Sequence, residues 1–509
     1  MKKDNRFLVQ ATRLGGLTLA SSLLGFVREI LIAREFGATH LTDSYLVALS
    51  VPMLIYALFF GSGLNVSLVP RLATLLSDNP SGGRRVFAQF LSGAAVWSVL
   101  ATCLILLFPG IFVRIFAPGI ASSPVTVGFV RALAPLLFLF VISFAMGSFH
   151  CARDRASQWG LITLVQNATF VLFLLLLGRL WGIKVLLIGT IGGALLSLLV
   201  QARVTWADGF RESWVNPLLP GEGNRILASM VPFALVLGVG GDYGTAQADI
   251  FLIRFFASRL APGSITLLAL GNKLMALPVI LIGVALGLAL LPSLSISIAK
   301  QDQAEANGKF ARAISYGFLL ICPIALIYLD LGVPIAHMVF GRTALGSAQL
   351  DELGGILSAY AGAALGLVVS YILNSYLAAL RRTQSLIGAA ISTVVVDALL
   401  MWILCGPYLT RGIAMAISAG SFFYCTLLAV LLARDLDRAL RVALLQRAGV
   451  ILLGAIGMHL ALVSTLRLNV FTSLPWFGSA LFPALAGLTL YVIWLMLHRT
   501  RLQLGPASL

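Results

Sequence analysis

Apolar residues along this chain of 509 residues gather in blocks of about 18 or more, separated by Gly, Pro and clusters of charge. A helix rises about 1.5 Å per residue, so one such block crosses a hydrocarbon layer about 30 Å thick. Read this way, the pattern predicts about fourteen membrane-spanning helices, near residues 7–33, 43–76, 86–113, 126–150, 158–179, 182–206, 228–257, 264–298, 309–331, 352–380, 384–405, 411–433, 443–465 and 474–497. They are called spans one to fourteen below.

Composition agrees with the pattern. The chain is 59% hydrophobic and 11% charged, against about 25% charged in an ordinary soluble domain. The first block begins near Phe7, outruns a signal-peptide core and lacks a small-residue cleavage pattern, so it is expected to be a mature span. Five cysteines (Cys103, Cys151, Cys322, Cys405, Cys425) and five histidines are scattered without metal-ligand or CxxC spacing, which predicts neither a disulfide framework nor a metal site.

The net charge of +16 comes from basic residues dispersed between spans, not gathered in a stripe, and nucleic acid is not an expected partner. Topology explains it better. With the N-terminus in the cytoplasm, the inside loops collect Lys2, Lys3, Arg84, Arg85, Arg153, Arg155, Arg381, Arg382, Arg434, Arg438 and Arg441 among others, and the outside loops receive about half as many. That alternation predicts an even number of spans with both termini cytoplasmic.

The one longer connection, "ADGFRESWVNPLLPGEGNR" at 207–225, places Trp214 and Pro217 among charges and reads as an interfacial segment between two halves. The halves show a faint repeat. "LIAREFGA" (31–38) and "FLIRFFAS" (251–258) align Arg34 with Arg254, and the following spans end in "LVPRL" (68–72) and "LLPSL" (290–294), at an offset of about 220 residues in both cases. Six intervening spans make this a parallel duplication about an axis along the membrane normal. The expected organisation is an N-lobe at 1–206, a linker at 207–224, a C-lobe at 225–434, and two further spans in 435–509.

A charge at membrane depth is costly unless it meets a partner or a watery cavity, so the few present are the candidate site. Arg28 and Glu29 lie well inside span one; pointing about 100° apart, they are not expected to neutralise one another face to face. Arg34 and Glu35 lie nearer the boundary, where snorkelling accounts for them. Lys273, beside Asn272 and five residues before Pro278, is expected to face a cavity, with the helix broken locally at the proline.

Span seven carries Asp242, Gln247, Asp249 and Arg254. An Asp249–Arg254 pair is the plainer reading, and Asp242 or Asp249 with Asp397 of span eleven is a candidate cation site. Span two offers Pro52 and Asn65, and His40 and Asp43 lie at the outer mouth. No GxSxG or Walker A signature is present and no loop is long enough for a soluble catalytic domain, so passage of a substrate is favoured over chemistry on it.

These segments resemble the MviN/MurJ family, the lipid II flippases of the MOP transporter superfamily. "GFVRE", "FGA", Asp43 and Pro52 match the family's first signature, and "KLMALPVILIGVALGLALLPSLS" (273–295) its second, with the likeness covering essentially the whole chain. The resemblance implies an all-α membrane protein of two six-helix lobes plus two C-terminal helices around a central cavity. It further implies a flippase, not an enzyme, for an undecaprenyl-pyrophosphate-linked saccharide in the bacterial cytoplasmic membrane.

The implied substrate contacts are Arg28, Lys273, Asp43, Glu29, Asn65 and Asn272, with Lys273 standing where the family has an arginine. Asp242, Asp249 and Asp397 are the candidates for coupling to Na+ or H+, membrane potential being the other drive. No further cofactor is implied, and the protein is expected as a monomer among membrane lipids and enzymes of polysaccharide or peptidoglycan synthesis. Five family charges are missing: Ser22, Tyr56, Ala57, Gly61 (in Gly61-Ser62, where the family has Glu-Gly) and Asn272 stand in their places, which points to a head group other than lipid II, such as an exopolysaccharide unit. Competing readings are a cation-coupled drug antiporter, a membrane glycosyltransferase or ligase, and a non-transporting scaffold.

Overall fold

The computed structural model describes residues 2–61, 68–155, 157–207, 210, 221–228, 242–467 and 476–498, and among these every regular element is helical. Eleven of the helices are long and apolar enough to cross a membrane. Many of their leucines and tryptophans, Leu176, Leu180 and Trp402 among them, face outward. A surface of that kind suits lipid, not water.

One of the eleven, Thr383–Ala433, has 51 residues. That is about 75 Å of helix, more than twice the hydrocarbon thickness. It carries non-helical backbone at Leu409, two residues after Pro407, where spans eleven and twelve meet. Reaching fourteen also requires Asp242–Ala257 and the shorter apolar helix Phe482–Leu497, both below the spanning length within the described residues.

Proline acts differently from expectation in span eight. Instead of breaking at Pro278, the helix widens into a π-helical stretch, Val279–Val284, and resumes as Ala285–Ala299. The proline lacks an N–H and its ring crowds the carbonyl one turn back, and a wider turn relieves both. Span two repeats the device: Pro52 is followed by a π stretch at Ala57–Gly61, which starts 222 residues before the other.

By packing, the chain divides into two units, Met1–Thr266 and Leu267–Leu509. In the first, span one lies along span five (Ser157–Trp181), span five along span six (Lys184–Ala207), and span two against both Pro124–Leu133 and Asp242–Ala257. This boundary reports contacts, while the lobe boundary read from the repeat concerns duplication, so the one does not decide the other. In the second unit, Leu290, Leu294, Phe310, Tyr376, Leu428 and Leu432 form one core. A second core of Cys322, Ile451, Met458, Tyr491 and Leu495 docks spans thirteen and fourteen onto span nine. None of the five cysteines, all among the described residues, forms a disulfide.

Candidate functional site

Span one turns a stripe of Ser21, Gly25, Glu29, Ile32 and Ala33 inward, three to four residues apart, against span five. Gly25 faces Asn167, whose amide lies 3.4 Å or more from where a Cβ would stand, an ordinary contact distance. Asn167 Nδ2 donates to the Ser21 carbonyl (3.1 Å) and Ser21 Oγ (3.2 Å), while its Oδ1 accepts from Arg28 Nη1 at 3.1 Å. The Arg28 guanidinium lies 5.4 Å from the centroid of the Phe170 ring.

Its other terminal nitrogen, Nη2, donates to Glu29 Oε1 at 2.6 Å. The expectation that these neighbours would not neutralise one another face to face gives way to a direct ion pair. A Cα separation of 100° limits short side chains, but the arginine stem is long enough to swing its head round the helix to the adjacent carboxylate. Buried Nε of Arg28 makes no hydrogen bond among the described residues.

Asp43 is buried in the first turn of span two and bonds to the start of span eight. Its Oδ2 accepts from the Gly263 N–H (2.6 Å), and its Oδ1 accepts from the N–H (2.8 Å) and hydroxyl (2.7 Å) of Thr266. The helix Ser264–Pro278 begins after Gly263, whose φ of 94° and tight approach to Ala38 suit glycine alone. A glycine has no oxygen with which to cap a helix, and Asp43 supplies it from 220 residues upstream. Beside it, a cavity of about 350 Å³ is lined by His40, Asp43, Gly119, Ser258, Arg259 and Pro262.

Span seven brings Arg254 towards the same region. Its helix, Asp242–Ala257, packs on span two, and the Asp249–Arg254 ion pair that sequence spacing suggested is not formed among the described residues. Asp249 is half-buried on the same helix; the side chain of Asp242 lies outside the described residues. Asn65 also lies outside them.

In the second unit, Gly271, Leu274 and Met275 are buried against neighbouring helices, and Lys273, about 200° round from Gly271, is on the open face with Asn272 half-buried beside it. Asp397 is buried in span eleven against Gly420 of span twelve, so closely that a methyl group there would overlap its carboxylate.

Positions where the family resemblance expects charge have been put to other use. Tyr56 is buried and stacks on Phe144 (centroids 5.0 Å apart) with Phe140 at its edge, and Ala57 is wholly enclosed. Ser22 bonds to its own helix at the Thr18 carbonyl. Three features escaped the sequence reading: Asn167, the Tyr45–Thr190 hydroxyl pair at 2.9 Å, and a His459 Nδ1–Asp330 Oδ2 pair at 2.8 Å. Gln166-Asn167 within the apolar run of span five was the available signal.

A family profile described as "Lipid II flippase MurJ" matches residues 32–487. Among curated relatives, "Lipid II flippase MurJ" of Burkholderia cenocepacia is 25% identical over 420 residues, covering 80% of each chain. "Probable lipid II flippase MurJ" of Rhizobium meliloti is 26% identical over 382 residues, covering 71% of this chain and 68% of its own. Among solved structures, "Lipid II flippase MurJ, inward closed conformation" superposes with a TM-score of 0.78 at 18% identity, covering 95% of this chain and 98% of that one. A multidrug resistance MATE family transporter of the MOP superfamily, in an inward-facing conformation, gives 0.68 at 14% identity, covering 83% and 95%. At these identities the structural matches speak to fold.

Proposed function

The chain belongs to the lipid II flippase MurJ family, and from that membership we propose that it carries a polyprenyl-pyrophosphate-linked saccharide across the bacterial cytoplasmic membrane by alternating access. The observation that carries this reading is Arg28. It is a cation at membrane depth, aimed by Asn167 and Phe170 and paired with the Glu29 carboxylate. A pyrophosphate leaving water needs fixed cations in the low-dielectric interior, and arginine presents several donors to its oxygens in one plane. The polyprenyl tail stays in lipid while the head group crosses.

Asp43 supports the alternating part of the cycle. Three donors tie it to the first turn of span eight, at the end that loop charges assign to the outside. Opening towards that side gives up these bonds, and closing restores them. Membrane potential or a Na+ or H+ gradient is the proposed drive, with Asp242, Asp249 and Asp397 as the acids available to bind a cation.

The cargo is lipid II or a related exopolysaccharide unit. Tyr56 and Ala57, packed where the resemblance expects arginines, favour the second. Expression in a strain depleted of its own lipid II flippase tests this directly. Rescue identifies lipid II; failure at normal membrane levels, with rescue of an exopolysaccharide export mutant, identifies the specialised cargo, and failure of both overturns the flippase reading.

A further inference from the structure

We propose that Tyr328 is a positioning residue for the head-group site: its hydroxyl holds the turn of span eight that carries Lys273, and so fixes the face on which that cation is presented. The proposal rests on the flippase reading above and on the place that the family resemblance gives Lys273.

The first support is a missing donor. In an α-helix each carbonyl accepts from the N–H four residues on, and for Leu274 that residue is Pro278, which has none. The donor comes from another helix: the Tyr328 hydroxyl of span nine donates to the Leu274 carbonyl at 2.8 Å. Leu274 is buried and follows Lys273 directly, and the π-helical stretch begins at Val279. The bond therefore grips span eight in the turn between the cation and the change of helical pitch.

Second, Tyr328 is itself held from several sides. Span nine lies in the helix Gln303–Phe340, whose backbone leaves helical geometry at Leu331, three residues before Pro334. At this kink the Tyr328 carbonyl accepts from the Ser358 hydroxyl at 3.1 Å. Gly332 lies so close to Gly354 and Ser358, on the helix Ser347–Ala359, that a methyl group would overlap them. Asp330, whose side chain is 7% exposed, pairs with His459 Nδ1 of span thirteen at 2.8 Å. The ring that reaches span eight thus projects from a fixed base.

Third, the loss of the hydroxyl has a defined consequence. A buried carbonyl needs a donor, and the one left to Leu274 along its own helix is the Val279 N–H, five residues on. Taking it extends the π-type pattern towards Lys273 and turns the residues before Leu274 about the helix axis. The tyrosine hydroxyl keeps the wide turn on the far side of Pro278 and Lys273 in one orientation.

The test is equilibrium binding of farnesyl pyrophosphate to the purified full chain in nanodiscs, with thermal unfolding of each unliganded variant beside it. Tyr328→Phe removes only the hydroxyl and should weaken binding about three- to tenfold while unfolding near the wild-type temperature. In a Lys273→Ala background, itself weaker than wild type, the same change should cost little further, because the hydroxyl acts through the cation. In a Pro278→Ala background it should also cost little, since position 278 then has its own N–H for the Leu274 carbonyl. If Tyr328→Phe binds like wild type, or loses as much in either background as alone, the proposal is overturned and the flippase reading stands; Lys273→Ala binding like wild type overturns it as well. Should Tyr328→Phe fail to fold, its combination with Pro278→Ala decides: binding equal to that of Pro278→Ala alone supports the proposal, and weaker binding or failure to fold overturns it. If wild type does not bind the probe, the flippase reading falls and the proposal with it.

Discussion

Asp43 and Thr266, 223 residues apart in sequence, are joined twice: one carboxylate oxygen accepts both the backbone N–H and the side-chain hydroxyl of the threonine. The bond replaces a cap that Gly263 cannot provide, and it makes the start of span eight depend on span two. Asp43→Ala should lower stability by about 1–2 kcal/mol through the lost cap alone. Transport should fall further than Asp43→Asn makes it fall, because the amide retains an accepting oxygen. Thermal unfolding in detergent beside complementation measures both effects, and an alanine variant as stable as wild type would contradict the capping role.

Arg28→Lys should be nearly as damaging to transport as Arg28→Ala. A lysine is a single ammonium on a flexible stem and cannot bond to Asn167 and Glu29 while stacking on Phe170. The expected outcome is loss of complementation by about tenfold or more at unchanged membrane levels; a fully active lysine variant would mean that charge alone suffices.

Asn167→Leu should weaken transport without touching a charge. The amide joins Ser21 of span one to the guanidinium, and an isosteric apolar side chain leaves Arg28 Nη1 without its acceptor. We expect lower binding of a polyprenyl pyrophosphate and a chain that still reaches the membrane. Wild-type affinity would remove Asn167 from the site.

Gly420→Ala should destabilise the second unit by about 1–3 kcal/mol, since the added methyl overlaps the Asp397 carboxylate. Combining it with Asp397→Ala should recover part of the loss, a non-additivity that a double-mutant cycle in thermal unfolding reads directly. Simple additivity would show that the two positions do not press on each other.

How far the sequence reveals this molecule depends on the range of the interaction. Span positions follow from apolar block length, a local quantity, and the helices at Ser157–Trp181 and Lys184–Ala207 fall within a few residues of the blocks that predict them. The depth of Arg28 is legible for the same reason. Its partners are not: Asn167 lies 139 residues away, and the pairing with Glu29 depends on a side-chain rotamer that helical phase alone does not give. Asp43 illustrates the other limit. Sequence places it at a mouth between spans, but its task is set by a glycine 220 residues further on that lacks a side chain.

The wide turns at Ala57–Gly61 and Val279–Val284 store slack. A π turn contains one residue more than α geometry requires, and when it migrates along a helix the segment it passes over is rotated by about 100° and advanced by about 1.5 Å, with hydrogen bonds exchanged one at a time. Spans two and eight can thus turn part of their length like a screw inside a fixed nut, and neither helix has to unfold to present a different face.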